Sequence, residues 1–434
     1  MAESIAEPHP VARAGAPDRT ASRPLSRTPA LATLAVLSAI IGLNAVDRNM
    51  FGLLLPQIRA DIPLGDTALG FLMGPAFIVV YSVCGVPLAM LADRAGRRPV
   101  IAWGLAAWST VTLLTGMAGT FVHLLVARIA LGIGEASGMA PTSALIAETF
   151  AERGRVLALA VFAAGGPAAV LLFYPVIGAV TAAHGWRAAF PMMALVGFAF
   201  IAALLLVVRE APVRAAAARQ SAWRHAGQVL ARPGFALLVL AGTLFSVNYS
   251  AMVAWLPSFL VAERGLSAAQ AAHVLGLYKG GLGCVATLAG GLAVAWLMRF
   301  DRRWLAWAPA VFCAVMAPAQ AVLLFAPHEA AWHAGLAVET ILLAATTPCT
   351  FALLAALVPD ALRSTGSAVY LLAFNLVGQS AGPLAVGALA GGTPGDGAHR
   401  LGPALIVAPL AALGAAVLFA GLGCAMARRK EDAA

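Results

Sequence analysis

FVHLLVARIALGIGEASGMAPTSALIA, residues 121–147, decides how the rest of the chain is read. It is apolar, rich in small residues and long enough to cross a bilayer. Yet Arg128 and Glu135 stand inside it, with no charge between them. Their spacing is close to two helical turns, so both project from one face of a helix, roughly 10 Å apart along its axis. Neither charge can face lipid cheaply, so that face must look into protein or a wet cavity. The glycines and alanines around the pair let neighbouring helices approach closely.

Working outward, the same apolar pattern recurs. Of 434 residues, 61% are hydrophobic and 11% charged, and the mean hydropathy is +0.87. A soluble protein of this length carries about twice that charged fraction. The runs are continuous rather than alternating, which argues for helices and against an outer-membrane barrel. The reading is an all-α polytopic membrane protein with 12 spans, at 30–57, 67–92, 99–118, 121–147, 156–181, 187–208, 234–261, 268–297, 304–325, 332–355, 362–390 and 401–426.

Basic residues test that count. With the N-terminus inside, 21 of the 28 Lys and Arg residues fall on cytoplasmic segments. Four (Arg59, Arg187, Arg264 and Arg400) fall on the other side, and Arg48, Arg128 and Lys279 lie within spans. Such asymmetry follows the positive-inside rule and places both termini in the cytoplasm. It also accounts for the net charge of +9 without any nucleic-acid partner. Residues 1–29 read as a disordered cytoplasmic tail, rich in Pro and Arg, and residues 428–434 as a second tail.

The longest interior connection, 209–233, divides the chain into bundles at 30–208 and 234–427, each of six helices. It reads as a cytoplasmic linker, with 213–230 able to form a basic helix on the inner membrane surface. Two such halves imply pseudo-two-fold symmetry and a binding site near the midplane between them.

The polar groups within the spans are the candidate site. Asp47 and Arg48, beside Asn44, lie in the first span. By depth, Asp47 falls between Arg128 and Glu135, so Arg128 is in reach of both carboxylates. Arg48 projects about 100° from Asp47. One carboxylate therefore lacks a good cation and is a natural proton acceptor. The group is either a static ion-pair network or a proton-coupling and gating one. Lys279 and Glu339 are expected to be neighbours, as a salt bridge or as substrate contacts. Asn248, Tyr249, Asn375 and Gln379, with Tyr81 and Tyr174, are cavity candidates whose alternative is helix packing. At ADRAGRRP, 92–99, Asp93 with Arg94, Arg97 and Arg98 suits a breakable cytoplasmic latch or a plain turn. The five cysteines show neither metal-ligand nor disulfide spacing, and no hydrolase, nucleotide-binding or metal motif appears, so no cofactor and no enzyme activity is expected.

ADRAGRRP, with RIALGIGEA in span four and REAP after span six, resembles the signature pattern of the major facilitator superfamily. The Asp47–Arg48 dyad, GIGEASGMAPTSALIAETFAERGRVLALAVF at 132–162 and HGWRAAF at 184–190 are similar to its spinster-like branch. The resemblance implies the major facilitator fold and a coupling role for Asp47, Arg48, Arg128 and Glu135. It also implies a gate at Asp93 and its arginines. Ala89 stands where the loop usually opens with glycine, and Ala295 and Trp296 replace the acidic–basic pair of the second half, with Asp301 a possible substitute. Spinster-like proteins of animals are similar to lysophospholipid and sphingosine-1-phosphate transporters. The implied function is a proton-coupled secondary transporter of an amphiphilic anion, acting as a monomer in a bacterial inner membrane. The alternative is a proton-coupled carrier of drugs or small organic anions.

Overall fold

A chain surrounded by hydrocarbon must satisfy its backbone internally, and the spans do so as helices. The computed structural model describes residues 27–209, 226–232, 234–359, 362–391 and 401–431. The expected N-terminal tail and most of the expected linker lie outside them. The helices are α1 (Thr28–Asp61), α2 (Asp66–Ala95), α3 (Arg97–Thr115), α4 (Phe121–Thr149), α5 (Leu157–His184) and α6 (Trp186–Val207). They continue with α7 (Phe235–Ala262), α8 (Ala268–Leu297), α9 (Trp304–Phe325), α10 (Glu329–Leu357), α11 (Thr365–Ala390) and α12 (Leu401–Met426). Among the described residues, 11 are long and apolar enough to cross a membrane. The exception is α3, where Arg97, Arg98, Ser109, Thr110 and Thr112 dilute a helix of 19 residues.

Local chemistry sets the ends. The Thr120 hydroxyl accepts from the His123 backbone N–H at 3.3 Å and opens α4. Ser267 and Gln270 form a reciprocal capping box at the start of α8. Gly96, at φ +97°, makes the reversal between α2 and α3. Trp186 and Arg187 of the HGWRAAF motif both bond Asp61, tying the start of α6 to the end of α1.

The two halves of the chain meet mainly at one end. There the start of α2 lies on the end of α11, the end of α5 on the start of α8, and α1 on α7. A Cβ added at Gly70 would stand 2.5 Å from the Pro383 carbonyl oxygen, and one at Gly387 only 2.3 Å from the Asp66 carbonyl oxygen. One at Gly280 would stand 2.3 Å from the Leu171 nitrogen. Helix backbones touch here because no side chain intervenes. The largest buried apolar cluster crosses this seam, reaching from α1 through Trp255, Leu275, Trp332 and Val386, whereas a second cluster is confined to the second half. At the opposite ends of the same helices, Val86 and Met90 of α2, Leu157 of α5 and Leu292 of α8 are exposed.

Among the described residues, regular helix is interrupted at 136–138 in α4, just after Glu135, at 405–406 in α12, and in α2, α8 and α11. In α2 a break at Gly74–Pro75 separates Asp66–Met73 from the rest. Gly276–Leu282 in α8 and Ala373–Gln379 in α11 are π-helical. Such wide turns are uncommon and concentrate at functional sites.

Candidate functional site

Immediately below the seam lies a cavity of about 100 Å³. Arg48, Gly52, Phe77 and Arg128 line it from the first half, and Tyr249, Ser250, Gln379 and Pro383 from the second. The helix break in α2 helps to build it. Pro75 has no N–H to donate, and the carbonyl of Leu72 just before the break accepts from Arg128 Nε at 3.0 Å. Arg128 Nη2 reaches the Arg48 carbonyl oxygen at 3.5 Å, and its guanidinium lies over the Phe51 ring at 4.8 Å.

The expectation that Arg128 serves the carboxylates is corrected. Arg48 takes Glu135, donating through Nε and Nη2 to Oε2, both at 3.2 Å. It also donates to Asn44 Oδ1 at 3.3 Å and stacks on Tyr81 at 4.5 Å. Both guanidiniums also approach the Phe77 ring, Arg48 at 5.0 Å and Arg128 at 5.4 Å from its centroid. Asp47, one residue from Arg48, does point another way. It is buried against Trp108, and its Oδ1 has no hydrogen-bond partner. Depth along a helix is legible from spacing; the partner at that depth depends on how neighbouring helices are rotated.

The cavity wall is therefore left positive. Two guanidiniums face one carboxylate, and Asp47 is turned away from both. Arg128, 4% exposed, has only carbonyl oxygens as described hydrogen-bond partners and lies against aromatic rings. A guanidinium so placed keeps donors for a carboxylate or phosphate.

Other candidates divide. Tyr249 and Gln379 line the cavity, and Asn375 accepts from Gln379 Nε2 at 2.6 Å within the π-helical turn. Asn248 does not line it. It is fully buried and donates to Gln320 Oε1 at 2.8 Å and the Ala408 carbonyl at 2.7 Å, joining α7 to α9 and α12. Tyr174 is buried where α5 packs on Gly276, outside the cavity lining. Lys279 and Glu339 pair with each other, also outside that lining.

At the exposed end, Arg97 bridges Asp93 at 3.5 Å and also pairs with Glu148 of α4. Arg98 donates to the Leu205 carbonyl of α6, and Arg94 is exposed. Asp301 pairs with Arg303 at 3.6 Å and accepts from its backbone N–H, closing a local turn. Sequence reasoning missed Phe77, Trp108, the Leu72 carbonyl and Glu148. The first and third had a signal, since Phe77 and Tyr81 share a helix face and Gly74–Pro75 marks a break.

A family model for the Major Facilitator Superfamily matches residues 37–383, and the chain belongs to that family. It is a secondary transporter of this fold and not an enzyme. Over 414 residues it is 32% identical to an MFS-type efflux pump of Mycolicibacterium smegmatis, covering 93% of this chain and 94% of that one. It is 27% identical over 374 residues to Protein spinster of Drosophila melanogaster, covering 82% of this chain and 61% of that longer one. Its fold is similar to a bacterial homologue of the human lysosomal transporter Spinster, solved inward-facing and occupied. That likeness has a TM-score of 0.75 at 22% identity, covering 92% of this chain and 96% of the other.

Proposed function

We propose that this transporter moves an amphiphilic anion, such as a lysophospholipid or a sphingosine-1-phosphate-like lipid, by proton-coupled alternating access. The observation that carries the reading is the charge of the cavity wall: Arg48 and Arg128 both line it, Glu135 engages Arg48 from behind, and no carboxylate is among the described lining residues. The anionic head binds between Arg128 and Arg48, against Tyr249 and Gln379, while the chain follows the exposed apolar faces. Protonation of Glu135 releases Arg48 toward the substrate, and Asp47 is the second protonatable group.

In this reading α3 is the twelfth span, the halves divide as 30–208 and 234–427, and both termini are cytoplasmic. The sealed end then faces outward and the structure is inward-facing. The positive-inside asymmetry supports this orientation. Asp93, Arg94, Arg97 and Arg98, with Glu148, hold the cytoplasmic end once the outer seam parts. The location is a bacterial inner membrane and the working unit one chain.

The near-full-length likeness to an efflux pump favours a second reading, export of drugs or small organic anions against protons. Thermal stabilisation of the purified chain separates the two. Lysophospholipids and sphingoid phosphates should raise the melting temperature, and Arg128→Gln should abolish the effect. Stabilisation by cationic drugs alone, unchanged in Arg128→Gln, overturns the anion reading. In proteoliposomes, Glu135→Gln and Asp47→Asn should each weaken dependence on the proton gradient; full dependence in both rejects the coupling scheme.

A further inference from the structure

Away from the cavity, the second half holds a half-buried ion pair that the transport reading does not use. Lys279 lies in the π-helical turn of α8, and Glu339 in α10 is fully buried. Both Lys279 Nζ and the Thr340 hydroxyl, the latter at 3.3 Å, donate to the same oxygen, Glu339 Oε2. The other oxygen, Oε1, is buried with no hydrogen-bond partner. That oxygen is an open acceptor on a buried carboxylate, and burial without a partner is costly.

A separate polar group reaches the same turn from the sealed end. Glu329 is 81% exposed at the start of α10, and its carboxylate is 3.8 Å from His333 Nε2. His333 Nδ1 is 3.1 Å from the Tyr278 hydroxyl, and Tyr278 precedes Lys279 in the same π-helical turn. That turn also makes the closest approach of α8 to the first half, through Gly276 on Pro175 and Gly280 on Leu171.

We infer that Lys279–Glu339 is a second proton site, loaded through Glu329, His333 and Tyr278, and that it controls the α5–α8 seam. A proton added to Oε1 neutralises Glu339, and the Lys279 ammonium loses its one anionic partner among the described residues. A lone, mostly covered ammonium is costly, so the turn carrying it leaves the seam. The other titratable groups on the helices packed here are Asp47, Arg48, Arg59 and Asp61 of α1, Tyr174 and His184 of α5, Tyr249 of α7 with Glu263 and Arg264 just after it, His273 and Cys284 of α8, Cys313 of α9 and Cys349 of α10. None makes a described hydrogen bond or ion pair with Lys279 or Glu339.

The test is hydrogen–deuterium exchange of the full chain in nanodiscs across a pH series, corrected for intrinsic rates and read over residues 268–282. In the unmodified protein this segment should exchange about tenfold faster at the acid end, the size expected for losing part of such a pair. Glu339→Gln should exchange fast at every pH. The neutral double variant Lys279→Met with Glu339→Leu guards against simple misfolding: it should exchange slowly at every pH. Tyr278→Phe should delay the response to a pH jump without moving its end points. Glu135→Gln should keep the response, which separates this site from the cavity carboxylate. A pH-independent segment in the unmodified protein, or a response that survives in the double variant, overturns the proposal.

Discussion

One methyl group at Gly70 should drive the molecule out of the conformation described here. The Cβ of Gly70→Ala would stand 2.5 Å from the Pro383 carbonyl oxygen and 3.1 Å from Leu384 Cα. Both are backbone atoms of α11, so no rotamer change relieves the overlap. Overpacking of this kind costs about 1–3 kcal/mol. The contact exists only while α2 and α11 touch, so the cost falls on the sealed state alone. The ratio of sealed to parted molecules should fall roughly 5- to 160-fold. Spin labels on Val122 and Leu389, exposed near the sealed end and on opposite halves, report the change as a longer distance in double electron–electron resonance. Gly85→Ala is the control, because a Cβ there meets nothing within 4 Å on the same helix. An unchanged distance distribution in Gly70→Ala, or an equal shift in Gly85→Ala, refutes the reasoning.

Three further outcomes follow from the site. Asp47→Asn removes a buried carboxylate that has no cation partner among the described residues, so the melting temperature should hold or rise while proton coupling fails; marked destabilisation would mean an unrecognised partner. Phe77→Leu removes the ring shared by two guanidiniums, at about 0.5–2 kcal/mol for each cation–π contact, and should weaken substrate binding more than Phe51→Leu, which strips only Arg128. Asn248→Ala leaves Gln320 unsatisfied between α7 and α9 and should cost about 1–3 kcal/mol of stability with unchanged substrate affinity. A loss of affinity at equal stability would return Asn248 to the cavity.

Much of this molecule can be read without a fold. Hydropathy is a local sum, so the helical membrane character and most span edges follow from composition along the chain. Buried ions stand out because hydrocarbon tolerates so few, which singled out Asp47, Arg48, Arg128, Glu135, Lys279 and Glu339. The Lys279–Glu339 pairing was legible too, because two lone opposite charges at similar depth have little alternative.

Pairing within the first half was not legible, because it had more than one solution. Spacing gives depth, but Arg48 and Arg128 both lie within reach of Glu135, and helix rotation chose Arg48. Asn248 failed for the same reason: its depth suited the cavity, yet its azimuth turned it into Gln320. The seam and the π-helical turns were hidden more deeply. Glycines at 70, 280 and 387 are unremarkable in a chain holding 43 of them, until another backbone is laid against each. Sequence along one helix is a single coordinate, and contact between helices needs the other two.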